Sequence, residues 1–265
     1  MQKISIDAVR TAAESVIENL PPYWKEFRTK QLSRVSEEIS WIYSPQGTVV
    51  DLGGSNGFHA SVCSKLGMQS FCVDNFKVRL KGSKWDYFYE QDLEAETVAT
   101  SLGVQFIHTD LLTWDPPFAK NSVDSVMTFD NIEHLHHSPR SLYQKMSTCL
   151  KQDGLLLIGG PNASNILKRF RVLFGSNIFS PFDEWYMHEQ FIGHVREPIT
   201  ADYVKIAQDL NLHVENVIGR NWLGLSGGRY NSKNIQLVAQ ATDMILRNFP
   251  TLCSDIYLLA SKTQE

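Results

Sequence analysis

Val49 to Gly57, read as VVDLGGSNG, decides how this chain is understood: a short apolar run ends in an acid, and a glycine-rich turn follows at once. A phosphate-binding dinucleotide loop reads G-x-G-x-x-G, its glycines letting the backbone approach a pyrophosphate at a helix N-terminus. Here Asp51 stands directly before Gly53, Gly54, Ser55 and Gly57. A carboxylate in that place repels a pyrophosphate and attracts a ligand with a positively charged tail. At Ser55 the turn is expected to keep a negative φ, with Gly54 taking any unusual dihedral, because glycine alone adopts positive φ without steric penalty.

Outward from this stretch, strands and helices alternate. Thr48 to Leu52 reads as a buried strand, Phe58 to Leu66 as a helix closed by Gly67, and Gln69 to Val73 as a second strand ending at Asp74. A βαβ start implies a parallel sheet. Residues 75 to about 103 hold a helix ending near Gly103, followed by a third strand, Val104 to His108, that leads to Asp110. Val123 to Phe129 is a fourth, running into DNIEHLHH. Ser138 and Pro139 predict a helix start, with Leu142, Tyr143, Met146, Cys149 and Leu150 on one apolar face. Leu155 to Ile158 is a continuously apolar strand, as expected in a sheet covered on both faces. Thr200 is expected to cap a last helix, and Leu212 to Ile218 and Ile256 to Ala260 supply strands six and seven. Residues 1–44 read as an N-terminal helical cap of two helices parted at Pro21-Pro22, and 161–198 as an insertion or lid on the substrate side, after the fifth strand.

The 265 residues suit one α/β domain with additions, and 43% hydrophobic with 20% charged residues is an ordinary globular composition. A formal net charge of −4 leaves no overall footprint for a polyanion, so nucleic acid is not expected as a partner. Cys63, Cys72, Cys149 and Cys253 form no C-x-x-C pair and read as reduced, mostly buried thiols. No stretch matches a signal peptide or approaches the ~20 apolar residues of a membrane span, and a cytoplasmic location is expected.

Four landmarks in order, the Asp51 loop, Asp74, Asp110-Leu111 and FDNIEHLHHSP, resemble the class I S-adenosylmethionine-dependent methyltransferases over residues 45–262. That family's loop reads roughly (D/E)-x-G-x-G-x-G; Asp51, Gly53 and Gly57 match, and Ser55 replaces the central glycine. The resemblance implies a doubly wound, seven-stranded, mostly parallel Rossmann-like sheet binding S-adenosylmethionine and releasing S-adenosylhomocysteine. It also implies that Asp51, Gly53, Gly54, Ser55 and Gly57 meet the methionine moiety, Asp74 the ribose hydroxyls, and Asp110 and Leu111 the adenine. Phe129 would complete the cofactor site, with the residues after it facing the methyl group and the acceptor.

Methyl transfer is an in-line displacement that needs alignment and, for a hydroxyl acceptor, a base. His134 is the candidate base with Glu133 beside it; the alternative is that the two form a structural pair. The segment DNIEH also resembles the E-x-x-E-H metal set of small-RNA 3′-end methyltransferases. By that likeness Asp130, Glu133 and His134, with His188 or His194, would assist through a divalent metal, which is possible but not expected. GHVREP from Gly193 resembles an element of methyltransferases from bacterial glycan and natural-product clusters, so His194, Arg196 and Trp185 are candidate substrate-binding residues. Arg196 is equally a structural anchor that pairs with Glu189 or Glu197. Lys168, Arg169 and Arg171 read as the solvated face of a helix, or as a peripheral membrane contact. The expected activity is O-methylation of a sugar, glycan precursor or other small metabolite. The rival is a cofactor-binding regulator without catalysis. The oligomeric state is left open.

Overall fold

The computed structural model describes residues 4–75, 86–187, 189, 191, 193–222 and 243–263, of which 86–89 are described by backbone alone. Strands β1 (Thr48–Leu52), β2 (Gln69–Asp74), β3 (Gln105–His108), β4 (Val123–Phe129), β5 (Leu150–Pro161), β6 (His213–Arg220) and β7 (Asp255–Ser261) form one sheet in the order β3-β2-β1-β4-β5-β7-β6. The first five are parallel, and β7 runs antiparallel to both β5 and β6. The chain leaves β1 toward β2 and β3, then returns to the other side of β1 as β4. That reversal opens a crevice at the carboxyl ends of β1 and β4, where open α/β sheets bind ligands.

Side-chain alternation explains the long apolar runs. Val49, Met127, Leu155, Leu157 and Tyr257 enter one core, while Val50, Val126, Leu156, Ile158 and Leu258 enter the other. Helices α4 (Phe58–Lys65) and α5 (Asp86–Ser101) accompany the β1–β3 half. The second core is closed by α6 (Arg140–Cys149), through Leu142, Tyr143 and Met146, and by α9 (Thr200–Asp209), through Tyr203 and Ala207.

Three helices, not two, precede the sheet: α1 (Ile6–Ile17), α2 (Pro22–Lys30) and α3 (Leu32–Ile42). Pro21 and Pro22 begin α2 as expected, but the helix ends again at Gln31, whose backbone leaves helical geometry at φ −95° and ψ 1°. Val9, Ala13, Val16, Val35, Ile39 and Ile42 are buried in the first core with Val49 and Phe58. Two helix starts also lie one residue away from expectation. Pro139 rather than Ser138 is the N-cap of α6, with the Ser138 hydroxyl accepting from Arg140 N at 3.3 Å. Thr200 is the first residue of α9, and the Asp202 carboxylate accepts from the N–H of Ile199 at 3.1 Å.

Residues 161–198 carry α7 (Ile166–Leu173) and α8 (Phe182–Tyr186). Asn165 caps α7, its side chain accepting from Lys168 N. Of the solvated face expected of α7, Arg169 and Arg171 are exposed, and the expectation is corrected at Lys168. Leu167, Phe170, Val172 and Leu173 are exposed, whereas Lys168 is half-buried and paired with Glu197. Arg169 donates to the carbonyls of Ser164 and Thr251. No described helix is long and apolar enough to cross a membrane.

Candidate active site

The Asp51 loop is shaped by contacts that leave no room for a Cβ. A Cβ on Gly54 would sit 2.4 Å from Asp51 Oδ2, and one on Gly53, at φ +73°, 2.5 Å from the Asn131 side chain. Gly57 also has positive φ, +75°. The expected dihedrals are corrected at one position: Ser55 itself adopts φ +52°, while Gly54 keeps an ordinary one. Its N–H donates to Asp74 Oδ2 at 2.9 Å, and that bond offsets the strain of a left-handed non-glycine residue. The loop and Asp74 are therefore one unit.

Asp51 is buried, and its Oδ2 has no hydrogen-bond partner. Burial pushes its carboxyl up to about 6, with the Asp74 and Glu38 charges adding to the rise and His59 and Arg28 opposing it. An orphaned carboxylate oxygen at a strand end, beside a glycine cradle, suits a ligand that brings an ammonium group. Asp110 is exposed, its Oδ1 accepting from Leu112 N at 2.9 Å, and Leu111 is buried beside it. Phe129 ends β4, its ring centroid 4.9 Å from that of His59.

Sequence reasoning missed what the N-terminal helices bring. Arg28 of α2 is buried, with Trp24, Phe27 and Phe58 rings at 5.2, 5.4 and 4.9 Å. It donates to Gln31 and to Asn56 Oδ1, and its Nε has no partner. Burial and the charge of Arg34 lower its pKa to about 10, so it stays cationic at neutral pH. Arg34 of α3 bridges Glu38 at 2.7 Å and Asp130 at 2.8 Å. Burial opposes the charge on Glu38, but Arg34 and His59 outweigh it and bring the carboxyl down to about 2. Tyr257 of β7 donates to Glu38 at 2.7 Å. Asp130 has φ +46°, and the Arg34 pair holds it there. No motif marks these helix positions; the only hint was cationic side chains at apolar-flanked sites.

On the acceptor side, Glu133 and His134 lie in a single 3₁₀ turn, Ile132–His134, at the end of β4. Glu133 is buried and neither carboxylate oxygen has a partner; burial and the charge of Asp130 push it up to about 8. Tyr143 and Tyr203, also buried, have unpartnered hydroxyls. The exposed His134 and the half-buried His194 have ring centroids 4.8 Å apart at 85°. Val195 N donates to the Glu133 carbonyl at 2.7 Å, which ties the two segments together. His194 Nδ1 meets Glu197 Oε1 at 2.8 Å, and burial with the nearby His134 and Lys168 lowers its pKa to about 4.

A carboxylate oxygen of Glu133 and one ring nitrogen each from His134 and His194 lie within 4.8 Å of one another, a set able to hold a metal ion. Asp130 is not part of it, because its carboxylate is turned to Arg34. His188 lies outside the described residues. Trp185 and His194 line one open cavity of about 510 Å³ with Phe179, Phe182 and Phe191. Arg196 is not brought to it. It borders a separate cavity of about 540 Å³ over α6 and α9 and pairs with Asp202, rather than with Glu189 or Glu197.

Residues 50–158 match the family model of the methyltransferase domain. No curated protein matches the sequence significantly. Among solved structures, a Haloferax volcanii complex of the Trm112 methyltransferase activator and a methyltransferase aligns at TM-score 0.55 and 15% identity, with all of both chains covered. An S-adenosylmethionine-dependent methyltransferase from Mesorhizobium loti aligns at 0.55 and 11%, covering 88% of this chain and 98% of that one. Geranyl diphosphate C-methyltransferase from Streptomyces coelicolor A3(2), in complex with Mg2+, geranyl-S-thiolodiphosphate and S-adenosyl-L-homocysteine, aligns at 0.52 and 15%, covering 87% and 76%. At such identities these likenesses show the fold. The match over residues 50–158 identifies a methyltransferase domain there, and the fold that carries it is the one shared by these S-adenosylmethionine-dependent methyltransferases.

Proposed function

We propose that the chain methylates a hydroxyl oxygen of a sugar, glycan precursor or other small metabolite. The observation that carries this reading is the placement of His134, at the carboxyl end of β4, beside His194 and its aromatic-walled cavity. Aromatic walls with a few convergent polar groups are the usual make-up of a small-molecule site.

When bound, S-adenosylmethionine supplies a methyl group activated by its sulfonium. The residues of the chain do the rest. Asp74, which holds the Ser55 N–H, would accept from the ribose hydroxyls, and Asp110 and Leu111 would meet the adenine edge and face. The Gly53–Gly57 backbone and Asp51 would hold the amino end, and Arg28, whose Nε has no partner, would meet the carboxylate. Phe129 packs at the methionine side. His134 would take the acceptor's hydroxyl proton, and the bound cofactor would supply the methyl group and leave as the thioether. Trp185 and His194 position the acceptor. Four buried free cysteines fit a reducing, cytoplasmic setting.

The test is a panel of hydroxylated acceptors, sugars included, with the labelled methyl donor. Label on an oxygen that disappears in His134→Ala supports the reading. Label on nitrogen or carbon only, or unchanged turnover in that variant, overturns it.

A further inference from the structure

Helix α7 is built inside out. A surface helix usually turns its apolar stripe to the core and its charges to water. Here Leu167, Phe170, Leu173 and Phe174, at spacings of three and four, share one face and are each more than half exposed, and no residue of α7 from Ile166 to Leu173 is completely covered by the core. The side chains that fasten it to the domain are cations: Lys168 pairs with Glu197, and Arg169 donates to the carbonyls of Ser164 and Thr251. We propose that α7 and α8 form a membrane-contact surface that rests on the headgroup layer of an anionic bilayer.

Extent, composition and charge together choose a bilayer as the occupant. The exposed apolar groups do not stop at one helix. Phe179, Phe182, Trp185 and Tyr186 are also more than half exposed, and the last three have their rings packed against one another on α8. Large exposed apolar patches are rare on proteins that meet only water. The residue types are those of an interface layer: Trp and Tyr settle at headgroup level, and Phe and Leu reach into the acyl boundary. Charge selects the lipid. α7 carries Lys168, Arg169 and Arg171 and no acid, in a chain whose formal net charge is −4. Arg171 is exposed, flanks the apolar face and is paired with no acid among the described residues. The acids of the segment, Asp183 and Glu184, lie on α8, so the attraction to anionic headgroups falls to α7.

The surface and the aromatic cavity share side chains. Phe179, Phe182 and Trp185 are exposed and also wall the 510 Å³ cavity beside His194. With this surface on a bilayer, an acceptor carried on a lipid passes from the headgroup layer to the cavity without its apolar tail crossing water. This use rests on the proposed hydroxyl acceptor; the contact with the bilayer does not. No described helix is long and apolar enough to cross a membrane, so the contact made by this surface is peripheral. Its strength comes from apolar groups such as Leu173 and Phe174 together with the charge of Arg171, and the second part is weakened by salt.

The full-length chain, with neither methyl donor nor acceptor present, is floated with vesicles of phosphatidylcholine alone and of phosphatidylcholine mixed with phosphatidylglycerol, and its self-association is followed by sedimentation velocity. Expected is binding that is stronger to the anionic vesicles and weakened by salt. Leu173→Ser combined with Phe174→Ser should lower partitioning to the anionic vesicles ~10-fold or more. Arg171→Glu should lower it ~5-fold or more and leave any binding to phosphatidylcholine vesicles unchanged. Ile6→Ser, which removes an exposed apolar group from α1, should change neither. All variants should keep S-adenosylhomocysteine affinity as evidence of an intact fold. Absence of wild-type binding to the anionic vesicles overturns the proposal, as does binding undiminished in the Leu173/Phe174 double variant. A dimer that the double variant splits gives this face to a second copy and overturns it too. Vesicle binding without O-methylation leaves the surface standing and removes the acceptor class; O-methylation without vesicle binding does the reverse.

Discussion

The two sides of the crevice are built on opposite terms. On the cofactor side, the strained Ser55 is answered by Asp74, and Gly53 and Gly54 are filled against Asn131 and Asp51. On the acceptor side, Glu133, Tyr143 and Tyr203 keep unpartnered polar atoms, and Phe174, Phe179, Phe182 and Trp185 are more than half exposed. A cofactor common to the family can be held by a tight, preformed cradle. In the proposed reading the acceptor meets the turn after β4, α6 and the segment added after β5, where these polar and apolar groups lie. The difference teaches that cofactor identity is written in the sheet and acceptor identity in what is attached to it.

The sharpest way to break the cofactor side is Gly54→Val. A Cβ there overlaps Asp51 Oδ2 and lies 2.8 Å from Cys72 Sγ, so calorimetric affinity for S-adenosylhomocysteine should fall ~100-fold or more, roughly 3 kcal/mol. Arg28→Met retains most of the packing against Trp24, Phe27 and Phe58 but removes the cation. Cofactor affinity should drop on the order of 10- to 100-fold with acceptor KM unchanged, and equal affinity in this variant would remove Arg28 from the cofactor site.

Asp51 allows a subtler test. Its carboxyl is raised by burial to about 6 in the folded chain against 3.8 in the reference state. Between those values the folded state holds a proton that the unfolded state has lost, so stability falls as pH rises through that window and stays lower above it. Asp51→Asn should flatten this part of the stability profile and stabilise the ligand-free protein near pH 7 by roughly 1–3 kcal/mol, read as a higher melting temperature. The same variant should weaken cofactor binding. A melting temperature that falls at pH 7 would contradict the account of Asp51 as a strained, ligand-awaiting acid. The smallest effect is expected at Arg196→Ala on the acceptor side. Its guanidinium is 76% exposed in the pair with Asp202, and exposed pairs contribute less than about 1 kcal/mol. Turnover should stay within about twofold, and a large loss would return Arg196 to the substrate-binding residues.

The same contrast governs what can be read from sequence. The bounds of β1 and β4 follow from their apolar runs, and Asp51 and Asp74 lie at the carboxyl ends of their strands with Asp110 two residues past β3, so position along the chain and position at the crevice coincide. Ser55 escaped because its positive φ depends on the Asp74 carboxylate, a partner 19 residues away. Arg28 and Arg34 escaped because they lie on helices before the first strand, where only packing brings them beneath the loop. His194 was visible as a polar residue in a loop, but its neighbours His134 and Glu133 are joined to it by tertiary contacts alone.

The central claim is that the cradle holds the cofactor and the His134 turn performs the transfer. It is tested most directly by measuring S-adenosylhomocysteine binding and methyl transfer side by side in His134→Ala. The account predicts a dissociation constant within about twofold of wild type with methyl transfer reduced ~100-fold or more. Unchanged transfer, or loss of cofactor binding in step with activity, would contradict the division of labour between the two sides.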